Sequence, residues 1–308
     1  MKQVISFYYD AFKIAFDSII AHKLRAFLTL IGIIIGVAAV VVVGASISGL
    51  KTYVIDKVSK VLGSNHFMMT RMANTGSISD EEFEKRNRRN KDVTWEEYLY
   101  IRDNCKMCEA IGAEMGAGAD LNQDGIEMPS VRISGTTGNS PEINDKVIDQ
   151  GRYFSDAEVE RTAKVCVIGT DVQDKFFADK NPLGQTIRVR GVPLTIIGVE
   201  ERKGSFFGNP LDRNVYIPIS VHNQIFNRTG GLQVHGKALN ADVLQETIEN
   251  ARLVLRNKRQ LIGSEEDTFS IVNTDEFNSQ MDQFTGAIAA VVIPITLIIL
   301  VVGGIVVM

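Results

Sequence analysis

Apolar and polar positions divide the chain into two long uncharged stretches with a mixed, water-facing region between them. The first stretch runs from Ala26 to Leu50, between Arg25 and Lys51, and carries no charged residue. As a helix its 25 residues reach about 37 Å at ~1.5 Å per residue, against a hydrocarbon core of about 30 Å. The pattern predicts a transmembrane helix, tilted or with Ser46 and Ser48 emerging at the interface. A cleaved signal peptide is the competing reading, but the run is too long and lies behind 25 mostly amphipathic residues. The second stretch, Ile288 to Met308, follows the last charge at Asp282 and predicts a second span, kinked at Pro294. The sequence stops inside that run. A free carboxylate in hydrocarbon costs several kcal/mol, so the natural chain is expected to continue beyond Met308.

The flanks and the middle follow other periods. Residues 1–22 place Ile5, Tyr8, Tyr9, Phe12, Phe16 and Ile19 at helical spacing, with Gln3, Asp10, Lys13 and Asp17 opposite; this predicts an interfacial amphipathic helix. The expected organisation is 1–22 interfacial helix, 23–50 first membrane helix, 51–282 extracytoplasmic α+β domain of two subdomains, and 283–308 second membrane helix. Lys51 to Leu62 continues the first helix out of the membrane, and Asn65 to Thr70 is a strand. Residues 71–92 read as a loop. Thr94-Trp-Glu-Glu97 is a capping box opening a helix that buries Trp95, Leu99 and Ile101 or the stem of Arg102. Strands follow at 163–169, 185–190, 194–200, 214–219, 232–237 and 268–272; the pair flanking Gly191 forms a hairpin. Short helices occupy 172–177 and the stretch up to Phe226, and a clear one occupies 241–259. Thr274 caps a last helix running into the second span.

Charge refines this reading without redirecting it. The 308 residues carry a formal net charge of −4 and are 45% hydrophobic, and mean hydropathy is +0.04. Two spans therefore account for the membrane part, and the remaining ~235 residues suffice for one large or two small domains. Mild acidity argues against a nucleic-acid partner. The basic run Lys85, Arg86, Arg88, Arg89, Lys91 follows the acidic Ser79–Glu84 and reads as a solvated, mobile loop. Basic residues flank both ends of the first span almost equally. The positive-inside rule weighs short segments most, which places the N-terminus in the cytoplasm and the middle region outside.

Chemical motifs are sparse. No G-x-x-x-x-G-K-[ST] loop and no G-x-S-x-G elbow occurs, so catalytic and cofactor residues are not assigned and the chain is not itself a P-loop ATPase. His22, His66, His222 and His235 are scattered, and the carboxylates form no informative pair. Cys105-Lys-Met-Cys108 is half a zinc site at most; a third cysteine, Cys166, sits in an apolar strand. Structural cysteines, free or bridged as Cys105–Cys108 in an oxidising exterior, rank first, metal binding second and thiol redox catalysis last. Within the first span, Gly32 and Gly36 form a GxxxG pair, and Gly44 lies two further steps of four along. Small residues at this spacing let helix backbones approach closely, so these three are helix-packing candidates. Asn227-Arg-Thr229 fits a glycosylation acceptor, to which the remainder of the chain lends no support.

The opening AHKLRAFLTLIGIIIGVAAVVVV with its helix ending LGSN resembles the permeases of the MacB-like ABC transporter family. So do GRYFSDAEVERTAKVCVIGTDVQDKFF, NPLGQTIRVRGVPLTIIGVEERKGSFFG and VYIPIS in the middle region. The resemblance covers nearly the whole chain and extends to FtsX-like and lipoprotein-releasing permeases. It implies a multi-pass bacterial inner-membrane protein with four membrane helices and a large extracytoplasmic domain between the first two. It implies a homo- or heterodimer of permeases, surrounding lipids, and a periplasmic adaptor as a further partner. ATP and Mg would be bound by a separate ATPase subunit, because no ATPase domain precedes the first span. The function implied is export, or mechanical transmission of ATP hydrolysis to the exterior. The alternatives are an FtsX-like transducer controlling a periplasmic or cell-wall partner, and a two-span sensor receptor.

Overall fold

The computed structural model describes residues 20–21, 23–62, 65–73, 79–178, 180–206, 208–227 and 231–273, and, near the C-terminus, 283, 285–292, 294–295 and 298. The expected interfacial helix at 1–22 and the cap at Thr274 lie almost wholly outside the described residues. The chain divides into two units, residues 1–54 with 279–308, and residues 55–278. The first unit contributes most of α1, a helix over Lys23–Leu62. Several side chains of α1 are not described, and among the described residues no helix is long and apolar enough to cross a membrane.

The second unit is built on one mixed sheet. In chain order its elements begin with β1 (His66–Thr70), α2 (Asp80–Arg89), α3 (Trp95–Asn104), β2 (Cys108–Gln123), β3 (Ile126–Thr136), α4 (Ser140–Ile143) and β4 (Ile148–Gly151). They continue with α5 (Asp156–Glu160), β5 (Val165–Ile168), α6 (Thr170–Phe176), β6 (Thr186–Val189), β7 (Val192–Glu200), β8 (Ser205–Phe206) and β9 (Asn209–Pro210). The last are β10 (Asn214–Pro218), α7 (Ile219–Phe226), β11 (Gln233–Ala238), α8 (Leu244–Lys258) and β12 (Ser270–Asn273). The sheet order is β12-β1-β11-β2-β3-β10-β5-β7-β4, with β6 on β7 and a separate β8–β9 ribbon. Among the described residues, only β3–β10 and β5–β7 pair in parallel; the other pairs are antiparallel.

One face of this sheet carries α3, α6, α7, α8 and two apolar cores, while on the other α4 packs over Gly112 and Phe154, Val167 and Tyr216 form a smaller cluster. In the first core, Phe67 and Met69 of β1, Ile111 and Met115 of β2 and Val234 of β11 pack against Tyr98 and Ile101 of α3 and Ile248 and Leu255 of α8. In the second, Ile133, Cys166, Ile168, Ile196 and Ile217 pack against Val172 of α6 and Val221 of α7. β2 is long enough to serve both: Ile111, Ala113 and Met115 face the first core, while Ala117, Ala119 and Leu121 face the second. Both cores lie on one continuous sheet.

Local chemistry accounts for most boundaries. Thr94 Oγ1 accepts from Glu97 N at 3.2 Å while Glu97 Oε2 accepts from Thr94 N at 2.9 Å, a complete capping box for α3. That helix buries Tyr98 and Ile101, whereas Trp95 is 43% exposed, contrary to the expected Trp95 face. A helix starting at Trp95 places position four, Tyr98, under the first turn and onto the core. Residues 80–89, read from sequence as a mobile loop, form α2 instead. Ser79 Oγ caps Glu82 N, and Glu82–Arg86 and Glu84–Arg88 pair at i,i+4. The basic run is thus a helix face; Arg89 and Lys85 also reach Glu266. The hairpin β6–β7 turns at Arg190-Gly191 as its sequence suggested. The longer hairpin β2–β3 turns at Asp124-Gly125, both at positive φ, 55° and 78°. That is the backbone a two-residue turn between twisted strands needs and glycine tolerates best.

Candidate functional site

Away from the Phe154, Val167 and Tyr216 cluster, the opposite face of the sheet is polar, although much of it is buried. It is assembled from alternate positions of the strands that bury their other side chains in the cores. From β1 come His66 and Met68; from β11 Gln233 and His235; from β2 Glu114; from β3 Arg132 and Ser134; from β10 Asn214 and Tyr216. Glu200, at the end of β7, and Lys146 and Lys203, in adjoining loops, complete it.

Two carboxylates anchor this face. Glu114 is 8% exposed and accepts from Ser134 Oγ at 2.9 Å and Arg132 Nη2 at 3.3 Å. Burial pushes its pKa up, but Lys146, His235 when protonated, Arg132 and the Ser134 hydroxyl more than offset this, leaving it at about 2. Glu200 is 1% exposed and accepts from Lys203 Nζ at 2.5 Å, Asn214 Nδ2 at 3.2 Å and Tyr216 Oη at 3.4 Å. Buried Asp212 holds the Lys203 loop by accepting from the backbone N–H groups of Lys203 and Gly204. Lys146 lies with its Nζ 3.8 Å from the Tyr216 ring centroid. Burial lowers its pKa to about 8, although Glu114 and Glu200 pull the other way. Burial, with both carboxylates nearby, raises the Tyr216 phenol well above its usual range.

The histidines gain meaning only in three dimensions. His66 and His235, 169 residues apart, meet at 2.9 Å between Nε2 and Nδ1 across β1 and β11. Burial lowers both, His66 well below its usual value and His235 to about 4. His222 lies on the helical face, over Gly135 and stacked on Phe226; burial lowers it to about 4. Reading the histidines as scattered and the carboxylates as unpaired therefore missed this face. The only available signal was strand alternation, which puts each of these residues opposite an apolar neighbour.

Of the residues singled out in sequence, Cys105 and Cys108 are joined as a disulfide, Cα atoms 5.5 Å apart, at the end of α3. Cys166 is fully buried in β5, and burial raises its thiol pKa above the usual range. Among the described residues, no group of three His, Cys, Asp or Glu is placed to hold a metal ion. Gly36 is buried within α1, whereas a Cβ at Gly44 would meet nothing within 4 Å. Gly32 is helical, and its surroundings lie outside the described residues. The structure does not bring the cysteines to the polar face.

Comparison with solved structures finds this architecture elsewhere. The periplasmic region of MacB from Actinobacillus actinomycetemcomitans superposes with a TM-score of 0.55 at 16% identity, over 72% of this chain and 94% of that one. The extracellular domain of the noncanonic ABC-type transporter YknZ from Gram-positive bacteria gives 0.52 at 17% identity, over 68% of this chain and all of that one. The fold is thus one shared by the extracytoplasmic domains of ABC-type transporters. The chain belongs to the MacB-like permease family: the MacB-like periplasmic core domain matches residues 26–254. It is 29% identical over 309 aligned positions to the macrolide export ATP-binding/permease protein MacB of Neisseria gonorrhoeae, covering 98% of this chain and 46% of that protein. It is 30% identical over 301 positions to MacB 1/2 of Paracoccus denitrificans, covering 97% and 43%. The chain therefore spans less than half the length of these relatives.

Proposed function

We propose that this chain is the permease component of an ABC transporter in a bacterial inner membrane. Its α+β domain lies outside the membrane, and ATP is hydrolysed by a separate partner subunit. Family membership supports the transporter class, and the uncharged run Ala26–Leu50 supports the membrane anchor. The observation that carries the coupling is α1: the same helix that contains this run continues through Lys51 to Leu62 and reaches the α+β unit. It has no proline from Lys23 to Leu62 to break it. A stiff rod of this kind passes a displacement at its membrane end to the domain, and a second permease copy would make the stroke symmetric. Gly36 and Gly44 supply small-residue positions for helix packing, whether within a subunit or between two. Export of a substrate, or mechanical transmission to an external partner, is the expected output. A periplasmic adaptor is the partner suggested for export.

The test uses the full chain co-expressed with its ATPase. A Gly-Gly-Ser insertion after Val58 should leave the ATPase bound and hydrolysing ATP while the transport-dependent phenotype is lost. Unchanged transport by the insertion variant contradicts rod-like coupling. Failure of any ATPase to co-purify with the unaltered chain contradicts the assignment itself.

A further inference from the structure

We propose that the cavity on the polar face of the sheet binds a small free anion of the carboxylate or phosphate class. The cavity encloses about 410 Å³ and is lined by Glu114, Arg132, Lys146, Lys203, Arg213 and His235, among others. That volume lies near the lower end of the range for small-molecule sites, roughly 300–1,000 Å³.

Charge decides what it takes. Four cations, Arg132, Lys146, Lys203 and Arg213, line it with one carboxylate, Glu114; with the adjoining Glu200 and Asp212 counted, an excess of one positive charge remains with His235 neutral. The two glutamates are already committed, Glu114 to Ser134 and Arg132, and Glu200 to Lys203, Asn214 and Tyr216. Among the described residues neither Lys146 nor Arg213 has a carboxylate partner. The Lys146 ammonium rests on the Tyr216 ring, and Arg213 Nε is buried without an acceptor. His235 is 8% exposed, lines the same cavity, and leaves Nε2 unpartnered. The buried Arg213 Nε in that condition costs free energy that an acceptor would recover, and a guanidinium and an ammonium lining one cavity fit a carboxylate or phosphate group. The inference stands independently of the transporter reading, because it rests on this cavity alone.

Its pH dependence follows from Lys146. Glu114 and Glu200 favour its charged form, while burial, Lys203 and Arg132 oppose it, and its pKa falls to about 8. His235 stays neutral throughout this range. Binding should therefore hold steady below pH 8 and weaken as pH rises through it.

The experiment is calorimetric titration of the full chain in detergent, at low salt, with succinate and separately with inorganic phosphate. Saturable binding of either, one per chain, is expected. Lys146→Met and Arg213→Gln should weaken it at least about tenfold, and Lys146→Arg should retain it and abolish the loss above pH 8. Thermal melts check that the variants are folded. The pH profile with succinate, whose carboxylates are ionised throughout, tests the idea without any variant. Absence of saturable heat for both probes up to about 10 mM overturns it. Equal affinity in folded Lys146→Met and Arg213→Gln also overturns it. So does tighter binding of a short-chain phosphatidylglycerol than of either free anion, which would assign the cavity to a lipid headgroup.

Discussion

Three imidazoles hold the folded domain in a particular protonation state. His66, His222 and His235 all titrate below their ordinary value because burial disfavours the charged ring. In the unfolded chain each takes up its proton near pH 6.5; in the folded chain His222 and His235 do so only near pH 4. Between these values the unfolded state binds more protons, so stability falls as pH drops from about 6.5 toward 4. Each group contributes up to about 1.4 kcal/mol per pH unit in that window. Urea melts of the protein across this range should show the decline, and His222→Gln should make it shallower. A stability that is level from pH 7 to 4.5 contradicts the buried, neutral assignment. Glu114 acts in the same sense but lower down. Its depressed carboxyl contributes stability above about pH 4.5 that is lost as pH falls from there to about 2, so a decline above pH 4.5 belongs to the histidines.

Elements differ in how legible they were, and the reasons are physical. The capping box at Thr94, the hairpin at Arg190-Gly191 and the helix near 241–259 were readable because cap, turn and 3.6-residue period each leave a local signature. α2 was missed because it buries no residue and so has no apolar period. Its signature was electrostatic, Ser79 three residues before Glu82 and two i,i+4 pairs. β2 leaves little trace in the sequence because its core-facing positions at 113, 117 and 119 are alanines, too small to mark a strand. The polar face was least legible of all. Its members come from six strands and two loops, and each polar side chain alone reads as solvent-exposed. Packing also sets tolerances that sequence conceals. A Cβ on Gly236 of β11 would stand 2.2 Å from Phe67 Cζ, and Phe67 is fully buried in the first core. Gly236→Ala should cost about 2–3 kcal/mol in chemical denaturation, against ~1 kcal/mol for Thr94→Ala at the α3 cap. A smaller loss for Gly236→Ala than for Thr94→Ala contradicts this packing.

At the scale of the molecule, a family fold and a single helix stand together. The MacB-like match and the shared fold define the class. The division of the chain near Val54 and Asn278 separates a flanking unit from the α+β unit, and α1 begins in one and ends in the other. The account requires the α+β unit to lie outside the membrane while the ATPase works inside. The cysteine inventory makes this measurable: Cys105 and Cys108 are bonded to each other and Cys166 is fully buried, so an introduced thiol is labelled against a quiet background. Glu127, exposed near the tip of the β2–β3 hairpin, is the place for it. With Glu127→Cys in intact spheroplasts, a membrane-impermeant maleimide should label the protein fully without permeabilisation; labelling that appears only after the membrane is opened contradicts the account.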